Sequence, residues 1–363
     1  MQKAIRQIID SISLNTNKKE SDIYPSFKDK RYAPCILSKE NVHRFSAKDH
    51  NLKVSAIDGG NIEIMKTADL SLHLVRIYFN IFKNNKRLTP KTIPQKIDFY
   101  ALAQSYQKDR EIYYQTRLIP LKEKDTIYLP DEKDLIFDSY DPTLTTGIFR
   151  TPVSKIGEIS RRFAEWTISR HIIEQELDEG DIILRDGSLQ TGITNESRYS
   201  ESLYGSAEKK KIIFCGISKT SALLTNNGKS LTSSINRISG DIKGTWFYHP
   251  IVKSSHPDHK AEMYNTRLNI DSPYSFRFEI YDRQKESAKT VIEQLAHTSK
   301  DISFPGYPYP LIDADKNARV KFKEIAFHKT MIERSIEKDK STSELLDSGI
   351  RAINAHAVID RIV

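Results

Sequence analysis

Apolar positions along this chain fall into short β-type runs at first and helix-type stripes later. Val54 to Asp58 is one apolar run, Ile62 to Met65 a second, and Leu70 to Phe79 a third that puts Leu72, Leu74, Arg76 and Tyr78 on one face. That succession predicts a meander whose first strand enters the core and pairs antiparallel with its neighbours. From Ser154 to Leu177 the period becomes helical, with Ile156, Ile159, Phe163, Trp166, Ile173 and Leu177 on one stripe. Ser154 is the candidate N-cap and Glu179-Gly180 the stop. A strand ending in Asp186 follows at once, then a polar stretch at 190–210 that reads as loop. Next come a strand over Ile212 to Ile217 and a helix beyond Ser218. Further on, the spacing predicts a strand over Phe276 to Tyr281 and a helix from Arg283 to His297. A long helix from Leu311 to Glu337 follows. A meander followed by alternating helix and strand favours a mixed α/β sheet over a purely parallel one.

Around this core, residues 1–45 read as an extension: an amphipathic helix at Met1 to Asp10, then irregular chain through Pro25 and Pro34. Residues 46–340 form the main domain. It carries insertions at about 84–150, charged, rich in Pro and Tyr and expected to hold at least one helix, and at about 190–210. A short helix over 341–363 closes the chain.

Composition narrows the class. Of 363 residues 38% are hydrophobic and 29% charged, enough for a large core in a soluble protein. No apolar run approaches the ~18 residues of a membrane span, and the N-terminus has no secretory stretch, so a cytoplasmic location is expected. Cys35 and Cys215 alone make neither a disulfide framework nor a zinc quartet. The excess of 56 Lys and Arg over 48 Asp and Glu suits a polyanionic partner.

Two segments carry the chemistry: Ile57-Asp58-Gly59-Gly60 and Leu184-Arg185-Asp186-Gly187-Ser188. Each is a β-forming run ending in aspartate and then glycine, which places a carboxylate at a strand end above a turn free of Cβ. Two such carboxylates on neighbouring strands suit a hard divalent cation. Asp-Gly is also an ordinary turn dipeptide, and it is the repetition after two apolar strands that favours a site. Glu165 lies on the helix leading into the second strand and shares a face with Ile168 and Ile172. Arg161 and Arg162 are within reach as salt-bridge partners, and Glu158 is the alternative carboxylate. Asp313 and Asp315 open the last long helix, as dipole complements or as a further ligand. His249, His256, Asp258 and His259 lack the spacing of a zinc site and read as loop. Gly228-Lys229-Ser230 is not a P-loop end, because Leu223 stands where that motif needs glycine. Lys219, just past a strand, is a candidate phosphate contact.

Taken in order, Ile57-Asp58-Gly59-Gly60, the Glu165 helix with Leu184 to Leu189, Gly216-Ile217-Ser218-Lys219-Thr220-Ser221, and Gly306-Tyr307-Pro308-Tyr309-Pro310-Leu311-Ile312-Asp313-Ala314-Asp315 resemble the NurA nuclease family over roughly residues 54–320. The resemblance implies an RNase H-like core related to the PIWI fold. It implies a manganese- or magnesium-dependent, dimeric DNA nuclease with 5′-to-3′ exonuclease and single-strand endonuclease activity. It also implies a partnership with the hexameric ATPase HerA at DNA ends. Carried over, Asp58, Glu165 and Asp186 become metal ligands, with Asp315, Asp313 or His328 to complete the site. Asp315 stands where relatives often carry histidine, and Gly60 where they usually carry serine.

The resulting expectation is phosphodiester hydrolysis by two ions bridged at Asp58. Lys219 would hold the strand through its phosphates, and Tyr307 and Tyr309 are candidates to stack bases, with packing beside the prolines the favoured reading for at least one of them. The alternatives are a non-catalytic DNA-binding adaptor for the ATPase and an anti-phage effector built from the same parts.

Overall fold

The computed structural model describes residues 1–16 and 23–338, so the helix expected over 341–363 lies outside the described residues. Apart from the N-terminal helix Gln2–Thr16 (α1), the fold is organised around one long strand, Val54–Lys66 (β1). The two runs expected at its start are a single strand: Gly59 and Gly60 sit inside the ladder and do not break it. Leu70–Lys83 (β2) folds back antiparallel along it, with Val54 opposite Phe82 and Asp58 opposite Tyr78.

The 84–150 stretch differs most from expectation. It contains strands Lys96–Lys108 (β3) and Glu111–Pro120 (β4), which continue the meander, two short strand pieces at Lys86–Leu88 and Phe137–Asp138, and otherwise only 3-10 turns. Ile97, Phe99, Ala101 and Ala103 alternate inward while the residues between them are partly solvated. This period-2 pattern was obscured by the charged and polar outer face.

Ser154–Gln175 (α2) returns the chain to Ile182–Asp186 (β5), which lies parallel to β1 with Ile182 opposite Val54 and Arg185 opposite Ile57. Glu196–Lys210 (α3) then leads to Ile213–Ser218 (β6), parallel to β5. The polar loop expected at 190–210 is therefore mostly helix. It buries only Leu203, Tyr204 and Ala207 of its apolar residues, too thin a stripe to register as a period. The helix expected just after Ser218 is delayed to Leu231–Ile238 (α4). Strands Ala261–Arg267 (β7) and Phe276–Tyr281 (β8) extend the sheet antiparallel beyond β6. Ala288–His297 (α5) follows. The long C-terminal helix is two, Tyr309–Ala318 (α6) and Phe322–Glu337 (α7), separated at Arg319, whose backbone is extended. Ser154 begins α2 but caps nothing; the cap position is Val153.

The central strands run β3-β2-β1-β5-β6, the first three antiparallel and the last two parallel to β1. This is the RNase H-like order, in a mixed sheet with helices on both faces. Alternation in β1 and β5 sends Ile57 and Ile183 to the α2–α3 side and Val54, Ala56, Ile182 and Leu184 to the α5–α6 side. Strands covered on both faces read as unbroken apolar runs, which made these two visible in the sequence.

The far end of α6 presses on β1 at Gly60. A Cβ built there would lie 2.3 Å from the carbonyl oxygen of Ala318. Gly60→Ser is therefore expected to cost about 1–3 kcal/mol by forcing α6 outward. A urea melt checks this, and an unchanged midpoint would contradict the packing.

Candidate metal centre

Asp58 closes the parallel segment of β1, Asp186 ends β5, and Asp315 projects from the middle of α6. Parity places the first two on the α6 side of the sheet, so three elements far apart in sequence aim carboxylates at one point. Each offers an oxygen within 4.8 Å of the others. Oxygens bound to one ion at about 2.1–2.4 Å lie up to about 4.2–4.8 Å apart across it, and an all-carboxylate set is what hard cations prefer. The donor set therefore fits a divalent metal.

Electrostatics agree. Burial, then repulsion from Asp186 and Glu165, pushes the Asp58 carboxyl up to about 7. Its Oδ1 accepts a hydrogen bond from the Gly59 amide at 2.8 Å. The Lys219 ammonium bridges Asp186 at 2.6 Å and Asp315 at 2.7 Å, lying over the Tyr307 ring. Those contacts, with Arg319, hold Asp315 below its ordinary value against the opposing effect of burial.

Several expected site residues are placed differently. Glu165 is buried, but its Oε1 accepts from Arg161 and its Oε2 from Arg185 at 3.1 Å, so it stands outside the group of three. Arg162 pairs with Glu196 instead. The alternative Glu158 is exposed and pairs with Lys155. Asp313 is engaged by Asn80 and Arg87 and does not reach the cluster; His328, on α7, hydrogen-bonds Tyr100 of β3. Tyr307 cannot stack a base: its ring is 1% exposed, packed against Phe276 and Phe304. Its hydroxyl donates to Asp186 Oδ1 at 3.2 Å, and burial keeps the phenol protonated for that task. Tyr309 is partly exposed, edge-on to Phe82, whose partner in β1 is Val54 rather than Asp58. The three histidines of the polar loop diverge to Glu262, Asp29 and Glu279.

Two residues behind the site escaped the sequence reading. Arg185 is fully buried, stacked 4.1 Å over Trp166. Glu279 on β8 is buried too. It accepts from the Leu189 amide at 2.7 Å and the Ser188 hydroxyl at 3.1 Å, and faces Arg277 and His259. It thereby fixes the turn that follows Asp186. The available signal was a charge inside each apolar run, which burial obliges to find a partner.

A family model described as the NurA domain matches residues 52–320. Among solved structures, the NurA nuclease from Sulfolobus solfataricus is similar over 92% of this chain and 94% of its own, at 15% identity and a TM-score of 0.52. Ciona intestinalis endonuclease V, solved with a 24mer DNA, aligns over 90% and 100% at 11% identity and a TM-score of 0.36. A. aeolicus Argonaute aligns over 74% and 28% at 8% identity and a TM-score of 0.31. No curated protein matches. The Sulfolobus structure shares the fold, and the family model spans most of the sequence: the chain belongs to the NurA family.

Proposed function

We propose that this protein is a metal-dependent DNA nuclease. The observation that carries the proposal is the convergence of Asp58, Asp186 and Asp315 from β1, β5 and α6 on one ion-sized space. The Sulfolobus relative, described as a nuclease, supports it. Asp58, Asp186 and Asp315 hold the metal, with Tyr307 orienting Asp186. Manganese or magnesium bound there, as one of two ions, would lower the pKa of a water for in-line attack and stabilise the leaving oxygen. Lys219, which bridges Asp186 and Asp315, would be displaced from them by a bound ion and would then hold the phosphodiester through its ammonium. A net charge of +8 favours the polyanion. The reading extends to single strands and DNA ends as substrates, 5′-to-3′ exonuclease and single-strand endonuclease action, a homodimer, and a HerA-type hexameric ATPase as partner in the cytoplasm. End processing in repair and anti-phage defence both accommodate this chemistry. Among the described residues no helix is long and apolar enough to cross a membrane.

Digestion of end-labelled single- and double-stranded DNA with Mn²⁺, Mg²⁺ or EDTA, with and without the ATPase, tests the reading. Cutting in Mn²⁺ or Mg²⁺ but not EDTA is expected. No cutting in any metal, even with the ATPase present, would leave the adaptor role instead.

The pH dependence has a definite sign. Asp58 ionises near 3.8 in the unfolded chain and near 7 in the metal-free fold. Across that window the folded state holds the extra proton, so this group's contribution to stability is full below about 4 and is lost as pH rises through about 7. A divalent ion competes with that proton. Metal-induced stabilisation is thus expected to grow from pH 5 to pH 8, more steeply in wild type than in Asp58→Asn. Thermal melts with and without Mn²⁺ check it, and parallel curves for the two proteins would contradict it.

A further inference from the structure

Glu165 is held beside the carboxylate cluster by two arginines that differ in freedom. Arg185 is fixed: 5% of its side chain is exposed, and its guanidinium is stacked on Trp166. Arg161, one helical turn from Glu165 on α2, has 29% of its side chain exposed. Its Nη1 donates both to Glu165 Oε1 and, at 3.3 Å, to the carbonyl oxygen of Gly59, the residue next to Asp58. The Arg161 guanidinium therefore lies on the rim of the centre, within reach of a phosphate brought to Asp58. Gly59 keeps the way clear between Glu165 and β1 beside Asp58. A Cβ there would lie 2.5 Å from Glu165 Oε1 and 2.9 Å from Arg161 Cγ.

We infer that Arg161 is a substrate-operated latch: it holds Glu165 off the metal centre until a nucleic-acid phosphodiester draws its guanidinium away and frees that carboxylate as a ligand. The inference rests on the nuclease reading above and adds a coupling to it. Asp58, Asp186 and Asp315 suffice for one ion, whereas a second, held through Glu165, becomes tight only with the strand in place. A phosphodiester is a good competitor for Arg161, since a guanidinium pairs with phosphate oxygens as readily as with a carboxylate. Arg185 stays behind and keeps Glu165 oriented. Such coupling is reciprocal, so the second ion must tighten strand binding by the same factor that the strand tightens the ion.

The test counts bound Mn²⁺ by electron paramagnetic resonance of the free ion, using the full chain with and without a short single-stranded phosphorothioate oligonucleotide. Wild type is expected to take up one tight ion alone, and a second with the oligonucleotide at an affinity raised about tenfold or more. Arg161→Gln is expected to take up both without the oligonucleotide. Two tight ions in wild type without the oligonucleotide, or a variant that still requires it, would overturn the latch and leave the nuclease reading intact. No tight ion in any condition would contradict the metal reading itself, and the latch with it. Should Arg161→Gln not fold, wild-type linkage decides: oligonucleotide affinity, read by fluorescence anisotropy, must rise by the same factor as Mn²⁺ fills the second position. A flat response overturns the proposal.

Discussion

Asp58→Asn is expected to reduce metal-dependent DNA hydrolysis by roughly 10³-fold or more, the loss of several kcal/mol of transition-state stabilisation supplied through the metal. The substitution keeps the side chain's shape but removes the anionic oxygen that faces Asp186 and Asp315. Folding is expected to survive it. In the metal-free protein this carboxyl is crowded by Asp186 and Glu165, which is why it is pushed up to about 7. A neutral amide relieves that repulsion, so the metal-free melt should be no lower than wild type at pH 8. Loss of activity with an intact melt separates a ligand from a structural residue. Full activity in the variant would place the chemistry elsewhere.

The largest expected effect on stability is at Glu279. Its carboxylate is buried between Arg277 and His259 and accepts from the Leu189 amide and the Ser188 hydroxyl. The Arg277 guanidinium and His259 hold it well below the usual carboxylate range despite complete burial. Glu279→Leu strips Arg277 of its counter-charge and leaves the Leu189 amide without its acceptor in the interior, which costs about 3–5 kcal/mol. At about 2–4 °C per kcal/mol, the melting temperature should fall by roughly 10 °C. Ser188 and Leu189 follow Asp186 directly, so metal affinity should fall as well. A loss under about 1 kcal/mol in a urea melt would mean that the buried charges find other partners.

What the sequence revealed follows from which faces are covered. β1 and β5 are enclosed by helices on both sides, so Val54 to Ile57, interrupted only by the small Ser55, and Ile182 to Leu184 are almost wholly apolar, and the aspartates closing them were conspicuous. β3 and β4 bury alternate residues only, and the charges between them disguised a hairpin as an insertion. α3 hid in the same way behind its thin stripe. At the candidate site, Asp58 and Asp186 could be singled out because each closes an apolar run before a glycine, and Asp315 because it follows a proline-rich turn, although Asp58 lies within the long strand β1 and not at its end. The surroundings of Glu165 were legible only in part. Its neighbour Arg161 is visible at helical spacing, whereas Arg185 reaches it across a gap of 20 residues that only the fold closes. In the sequence Tyr307 is a candidate either to stack a base or to pack beside Pro308 and Pro310, and spacing alone does not choose between the two. In the fold, Phe276 and Phe304 close over the ring and leave its hydroxyl to Asp186.

The most direct measurement is anomalous diffraction from crystals of the full chain grown with Mn²⁺. A manganese peak within bonding distance of Asp58, Asp186 and Asp315, with the Lys219 ammonium moved off Asp186 and Asp315, is the predicted result. A peak elsewhere, or none with Lys219 still bridging the two aspartates, would contradict the assignment of this cluster as the metal centre.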